Sequence, residues 1–234
     1  GTTYTFGEKN DIITAVYVGE PVTLEEPEER LGYTFEGWYT AATGGTKVEN
    51  EYEPTANVEL FAHWTANKYT VTFNPGENGT VNPTTKEVTY AEAYGTLPTP
   101  SKPGGKFLGW YKGETEITAE IIVDITEATT LTAKWEDVIY TLTINLNGGK
   151  VGESTTVEPI TGKYDETKTL PTVTAPEGFT VTLNNNYGEN ETKTLKQTQR
   201  LEKWTKEDGT EITGTTYTFG EKNDIITAVY VREP

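Results

Sequence analysis

Two tryptophan-centred phrases recur along this chain at fixed spacing, and that recurrence limits its fold more than any other feature. FEGWY at 35–39 returns as FLGWY at 107–111, and each leads to a phrase ending in Ala-x-Trp, LFAHW at 60–64 and LTAKW at 131–135. Trp64 and Trp135 lie 71 positions apart, as do Tyr69 and Tyr140, which start the following phrases YTVTF and YTLTI. A period of that size marks a small structural unit repeated in tandem. A third copy is degenerate: LEKWTKEDGTEI at 201–212 stands where F-x-G-W-Y stood, and Ala228-Val229-Tyr230 replaces Ala-x-Trp. The spacing survives, because Trp38 to Trp64, Trp110 to Trp135 and Trp204 to Tyr230 are 26, 25 and 26 residues.

Within each unit apolar and polar residues alternate. YTVTF sets Tyr69, Val71 and Phe73 on one face and Thr70 and Thr72 on the other, and YTLTI does the same with Tyr140, Leu142 and Ile144. TLTAKW points Leu131, Ala133 and Trp135 one way and Thr132 and Lys134 the other. Period two is that of a half-buried strand, and helical periodicity is scarce. The expected fold is mainly β, with three tandem small repeat domains at 1–66, 67–137 and 138–234. Linkers as short as TAN at 65–67 and EDV at 136–138 leave little room for folding back, which predicts an elongated rod of roughly 80–90 Å. The third unit is enlarged. The segment between Phe179 and Trp204 reads as an extra hairpin about 180–203 with its turn near Asn184–Asn190, and Asp208-Gly209 reads as a tight turn.

A second repetition overlies the first. GTTYTFGEKNDIITAVYV at 1–18 returns letter for letter at 214–231. The intervals between Tyr17, Trp64, Trp135 and Tyr230 are 47, 71 and 95 residues, and together they equal the 213-residue offset of the two copies. The C-terminal copy reads as the closing strand of unit three, and the N-terminal copy as the opening hairpin of a shortened unit one.

A unit near 70 residues buries only about 60% of its unfolded surface, so large rings carry a disproportionate share of its core. Trp38, Trp64, Trp110, Trp135, Trp204 and Tyr230 are accordingly read as structural core rather than as a sugar-stacking platform. Gly37 and Gly109, each one residue before a tryptophan, read as bulges or points of close backbone approach.

The order of strand, glycine-rich turn, F-x-G-W-Y and closing Ala-x-Trp resembles the Listeria–Bacteroides repeat family, also called the internalin B-type repeat. The resemblance covers roughly 22–135 and is partial in unit three, where Lys203-Trp204-Thr205 replaces Gly-Trp-Tyr. It implies a β-grasp-like domain strung in tandem on bacterial cell-surface proteins, hence an extracellular, cell-wall-associated location. It implies neither catalytic residues nor a cofactor. The implied role is a stalk, spacer or adhesin segment whose partners are neighbouring repeats and a host or bacterial surface protein or glycan. A carbohydrate- or mucin-binding module is the alternative.

Composition removes other classes. With 36 acidic against 19 basic residues the net charge is −17, which disfavours nucleic acid and anionic surfaces, since those contacts rest on Lys and Arg. The chain has no Cys, which excludes disulfides and thiolate chemistry. No apolar run reaches membrane-spanning length, so no membrane insertion is expected. The single histidine, His63, lies opposite Leu60, Ala62 and Trp64 in the alternation and is expected to face solvent. EEPEER at 25–30 lacks the ligand spacing and mid-loop glycine of a calcium loop and reads as a solvated acidic loop. NPGENGT at 74–80 and NLNGGK at 145–150 are hairpin turns rather than phosphate loops, because neither carries the Gly-Lys-Ser/Thr ending. No Lys–Asn pair can be singled out for an amide crosslink. Catalytic, metal and cofactor residues are therefore expected to be none.

Overall fold

A computed structural model describes residues 20–177, 180–181, 195–196 and 198–232. All regular structure among them is strand. The first repeat contributes β1 (Val22–Thr23), β2 (Tyr33–Tyr39), β3 (Glu51–Tyr52) and β4 (Phe61–Ala66), paired as β1–β3 and β2–β4. The second holds β5 (Lys68–Asn74), β6 (Thr85–Thr89), β7 (Gly105–Lys112), β8 (Thr115–Ile117) and β9 (Thr129–Asp137), in a sheet of order β6-β5-β9-β7-β8. The third opens with β10 (Ile139–Asn145), β11 (Ile160–Lys163) and β12 (Thr167–Thr169), continues through β13 (Thr180–Val181), β14 (Leu195–Lys196), β15 (Gln199–Lys206) and β16 (Glu211–Ile212), and ends with β17 (Thr216–Thr218) and β18 (Asp224–Arg232). Its main sheet runs β11-β10-β18-β15-β16, the same strand order as the second repeat. Two small ladders, β12–β17 and β13–β14, complete it. β13 and β14 pair antiparallel, and the turn expected near 184–190 lies outside the described residues.

The alternation read from sequence sets the burial. Val71 and Phe73 of β5 are buried while Thr70 and Thr72 are exposed, and Leu142 and Ile144 of β10 are buried while Thr143 is exposed. In the third repeat β18 is central, parallel to β10 on one side and antiparallel to β15 on the other. Ile226 and Ala228, at 0% exposure, project from it into a core formed with Leu142, Leu170, Trp204 and Phe219. The C-terminal copy of the duplicated phrase thus supplies β17 and β18. The N-terminal copy, residues 1–18, lies outside the described residues. In the described part of the first repeat, residues 20–66, apolar side chains are half-buried or exposed. Among the described residues every fully buried apolar side chain lies at Val71 or beyond.

One device recurs in β2, β7 and β15. Pairing with the closing strand slips by one residue between Phe35 and Gly37, between Phe107 and Gly109, and between Leu201 and Lys203. In a regular strand, residues three apart point to opposite faces; a bulge inserts one residue and returns them to the same face. Phe35 therefore meets Trp38 at 5.7 Å between ring centroids, and Phe107 meets Trp110 at 5.6 Å, both edge-on. The bulge glycines adopt positive φ, +136° at Gly37 and +156° at Gly109. Lys203 holds the third bulge without positive φ, so the bulge outlives its glycine.

By internal contacts the chain divides into two compact units. One takes the residues up to Thr72 with Thr85–Thr96 and Thr118–Thr129, and the other takes Phe73–Thr84, Leu97–Ile117 and all from Thr130 on.

Candidate functional site

Four of the motif aromatics use their polar atoms on backbone, and equivalent positions do so in the same way. Trp110 is 2% exposed, and its indole N–H donates to the Pro98 carbonyl at 2.8 Å. Trp38 is half-buried, and its N–H donates to the Glu25 carbonyl at 3.0 Å. Trp204 is 1% exposed within the third core. The closing aromatics form a second set. Half-buried Trp135 donates to the Pro75 carbonyl at 2.9 Å, and half-buried Tyr230 donates through its hydroxyl to the Leu146 carbonyl at 2.6 Å. Pro75 and Leu146 occupy the same place, just after an opening strand whose last residue, Asn74 or Asn145, accepts a turn N–H on its side-chain oxygen at 3.0 Å. Tyr230 thus does with O–H what Trp135 does with N–H. Trp64 is half-buried against Phe35, ring centroids 5.3 Å apart.

The outward positions are not all open. His63, expected to face solvent, does turn away from the apolar face, yet it is half-buried. Its ring stacks on Tyr39 at 3.9 Å, nearly parallel, and its Nε2 lies 2.9 Å from the Ala41 carbonyl in the loop after β2. Alternation gives only the side of the sheet, and here the following loop covers that side. Lys134, the equivalent residue, covers Tyr111 at 4.2 Å and pairs with Glu114 at 2.6 Å. The motif tyrosine is capped in both repeats, by a ring in one and a cation in the other.

The one buried charged residue among those described is Asp224, 8% exposed at the start of β18. Lys206 Nζ reaches its carboxylate at 2.7 Å, the Tyr217 hydroxyl donates to the same oxygen, and Lys222 stands 3.9 Å away. Burial pushes the carboxyl upward, but the Lys206 and Tyr217 hydrogen bonds and the neighbouring lysine charges outweigh it and hold Asp224 below its ordinary value. Burial, together with the Asp224 carboxylate, drives the Tyr217 hydroxyl far up, so it stays a donor. The cluster is an ion pair. Amide formation between Lys206 and Asp224 needs a protonated acid, which the neighbours of Asp224 disfavour. Sequence reading missed this cluster because its three members lie on β15, β17 and β18.

A groove where the first repeat meets the second is lined by Glu26, Arg30, Tyr33, Phe35 and Trp64 of the first and by Tyr69 and Thr126 of the second. Its aromatic surface is partly taken, since the Arg30 guanidinium covers the Tyr33 ring at 3.9 Å. Glu25, Glu26, Glu28 and Glu29 of the acidic loop are exposed, and no group of three or more metal-ligating side chains occurs among the described residues.

Small β units of one strand order, with Trp110 and Trp204 buried at equivalent places, make up a tandem repeat. Residues 2–63 and 69–134 match the Listeria-Bacteroides repeat domain, and the chain belongs to that family. It is 40% identical over 106 residues to internalin H of Listeria monocytogenes serovar 1/2a, covering 44% of this chain and 19% of that protein. It is 34% identical over 160 residues to a protein of Evansella cellulosilytica named "Putative membrane protein", covering 66% of this chain and 23% of that protein. The chain spans about a fifth of the length of these relatives. No solved structure matches it.

Proposed function

We propose that this chain is a repeat segment of a bacterial cell-surface protein, serving as a stalk or spacer between other regions of a longer polypeptide. The observation that carries the reading is the use of the recurring aromatic residues: Phe35 and Phe107 pack on the motif tryptophans, and the N–H or O–H groups of Trp38, Trp110, Trp135 and Tyr230 are taken by backbone carbonyls. Side chains engaged in that way recur because they build the unit, not because they meet a ligand. Relatives named as an internalin and as a membrane protein, each of which this chain matches over only about a fifth of its length, support a place within a larger surface protein. The net charge of −17 suits a segment that must avoid sticking to acidic neighbours.

The carbohydrate-binding reading rests on one feature, the groove at Phe35 and Trp64 of the first repeat. A glycan and mucin array probed with the intact chain separates the two. A spacer gives no specific signal. Specific binding that is abolished by Trp64→Ala, with the second and third repeats still folded, would replace the spacer reading with the binding module.

A further inference from the structure

Two turns meet at the passage from the first repeat to the second, and an equivalent pair meets at the passage from the second to the third. The first turn of each pair precedes the F-x-G-W strand. Tyr33 N–H donates to the Arg30 carbonyl at 2.9 Å, and Gly105 N–H donates to the Lys102 carbonyl at 3.0 Å. The third residue of each turn is a glycine, Gly32 or Gly104, with φ of +76° or +67°. The second turn follows the second strand of the next repeat. Glu92 N–H donates to the Thr89 carbonyl at 3.2 Å, and Glu166 N–H to the Lys163 carbonyl at 3.1 Å. Both place a tyrosine second, Tyr90 or Tyr164, and a left-handed residue third, Ala91 at +61° or Asp165 at +62°.

The turns touch. A methyl group on Gly32 would press into the face of the Tyr90 ring, and one on Gly104 would collide with Cβ of Tyr164, both far inside van der Waals contact. The glycine carbonyl then holds the first residue of the link, with Asn67 N–H donating to Gly32 O and Val138 N–H to Gly104 O, each at 2.9 Å. Glycine is required here twice over, once by the backbone angle and once by the space. Either demand alone is common; the same two demands at equivalent positions in successive repeats are not an accident of loop geometry.

We propose that this glycine turn is a socket for the tyrosine turn of the following repeat, and that the pair, rather than linker length, holds successive repeats together. The inference rests on the spacer reading only in giving the joint a purpose. The third repeat lacks the socket. Gln199 pairs with Arg232 as Gly105 pairs with Asp137, which places Thr198 where Gly104 stands. A branched side chain at that position leaves no room for a tyrosine turn.

The test is hydrogen exchange on the intact chain, read at the Val138 amide. Gly104→Ala should speed its exchange at least ten-fold while Leu142 and Ile226 in the third core keep their protection. Gly113→Ala is the control, because Gly113 also has positive φ, +60°, but faces open space; it should leave Val138 unchanged. Gly104→Ala combined with Tyr164→Gly, which removes the colliding Cβ, should recover part of the protection. Unchanged Val138 exchange in Gly104→Ala, equal acceleration in Gly113→Ala, or no recovery in the double variant would each overturn the socket. Glycan binding on the array would overturn the spacer reading and leave this result standing.

Discussion

Trp110 and Trp38 occupy the same motif position and make the same indole hydrogen bond, yet only Trp110 is buried. Removing a fully buried aromatic costs about 3–5 kcal/mol, a large share of what a small domain has. Trp110→Ala should therefore unfold the second repeat at low denaturant, whereas Trp38→Ala, which starts half in water, should cost clearly less. Denaturant titration followed by the remaining tryptophans checks this, and equal losses would contradict the difference in burial. Asp224 carries a pH dependence of definite sign. A carboxyl whose folded pKa lies below its unfolded value of about 3.9 contributes stability above that value and loses it as pH falls through the folded one. Asp224→Asn should be less stable than the natural chain at pH 7, because it leaves Lys206 without its partner, and the gap should close in acid. A gap that stayed constant down to pH 2 would show that the carboxylate is not held low.

At the scale of strands, the duplicated phrase offers a comparison in which sequence is constant and place differs. Thr227 lies in central β18, opposite Asn145 on β10 and Thr205 on β15. Proline has no N–H for a ladder and is confined to edges and bulges, so Thr227→Pro should dissolve the third sheet. Thr14→Pro, the same change in the N-terminal copy, should leave the protected amides of Leu142 and Ile226 as they were. Loss of those amides in Thr14→Pro would mean that both copies serve one sheet. The strands themselves were legible: the Thr alternation matches the burial residue by residue in β5, and in β10 from Leu142 onward. What sequence did not reveal was lateral. That His63 is covered depends on where the loop beyond Tyr39 falls, and no period encodes this. The Lys206–Asp224–Tyr217 cluster needs β15 paired with β18 and β17 brought beside them from its ladder with β12, which only non-local pairing fixes. The joint glycines left a trace that went unread. Gly32 and Gly104 both stand five residues before the bulge glycines Gly37 and Gly109, but their partners lie 58 and 60 residues further on, where local pattern has no reach.

Over the whole molecule, 36 acidic residues against 19 basic ones leave a strong self-repulsion that the folded state concentrates and the unfolded chain relieves. Opposing it are surface pairs such as Lys68–Glu87 at 2.8 Å and Lys106–Glu136 at 2.8 Å, with all four side chains more than half exposed. Pairs in that setting contribute little, because water screens them and their side chains lose freedom in meeting. The partly buried Lys206–Asp224 pair is protected from salt, since screening acts mainly on charges in contact with solvent. Salt should therefore remove more repulsion than attraction, and the chain should melt higher in salt. A gain near 1 kcal/mol corresponds to roughly 4–8 °C for a repeat of this size, which is the rise expected between about 10 mM and 0.5 M sodium chloride, where the Debye length falls from about 30 Å to a few ångströms. Replacing Glu25, Glu26, Glu28 and Glu29 by Gln in the exposed acidic loop should raise the melting temperature at low salt and flatten its rise. A melting temperature that fell with salt would mean that the surface ion pairs, weak one by one, outweigh the net charge when taken together.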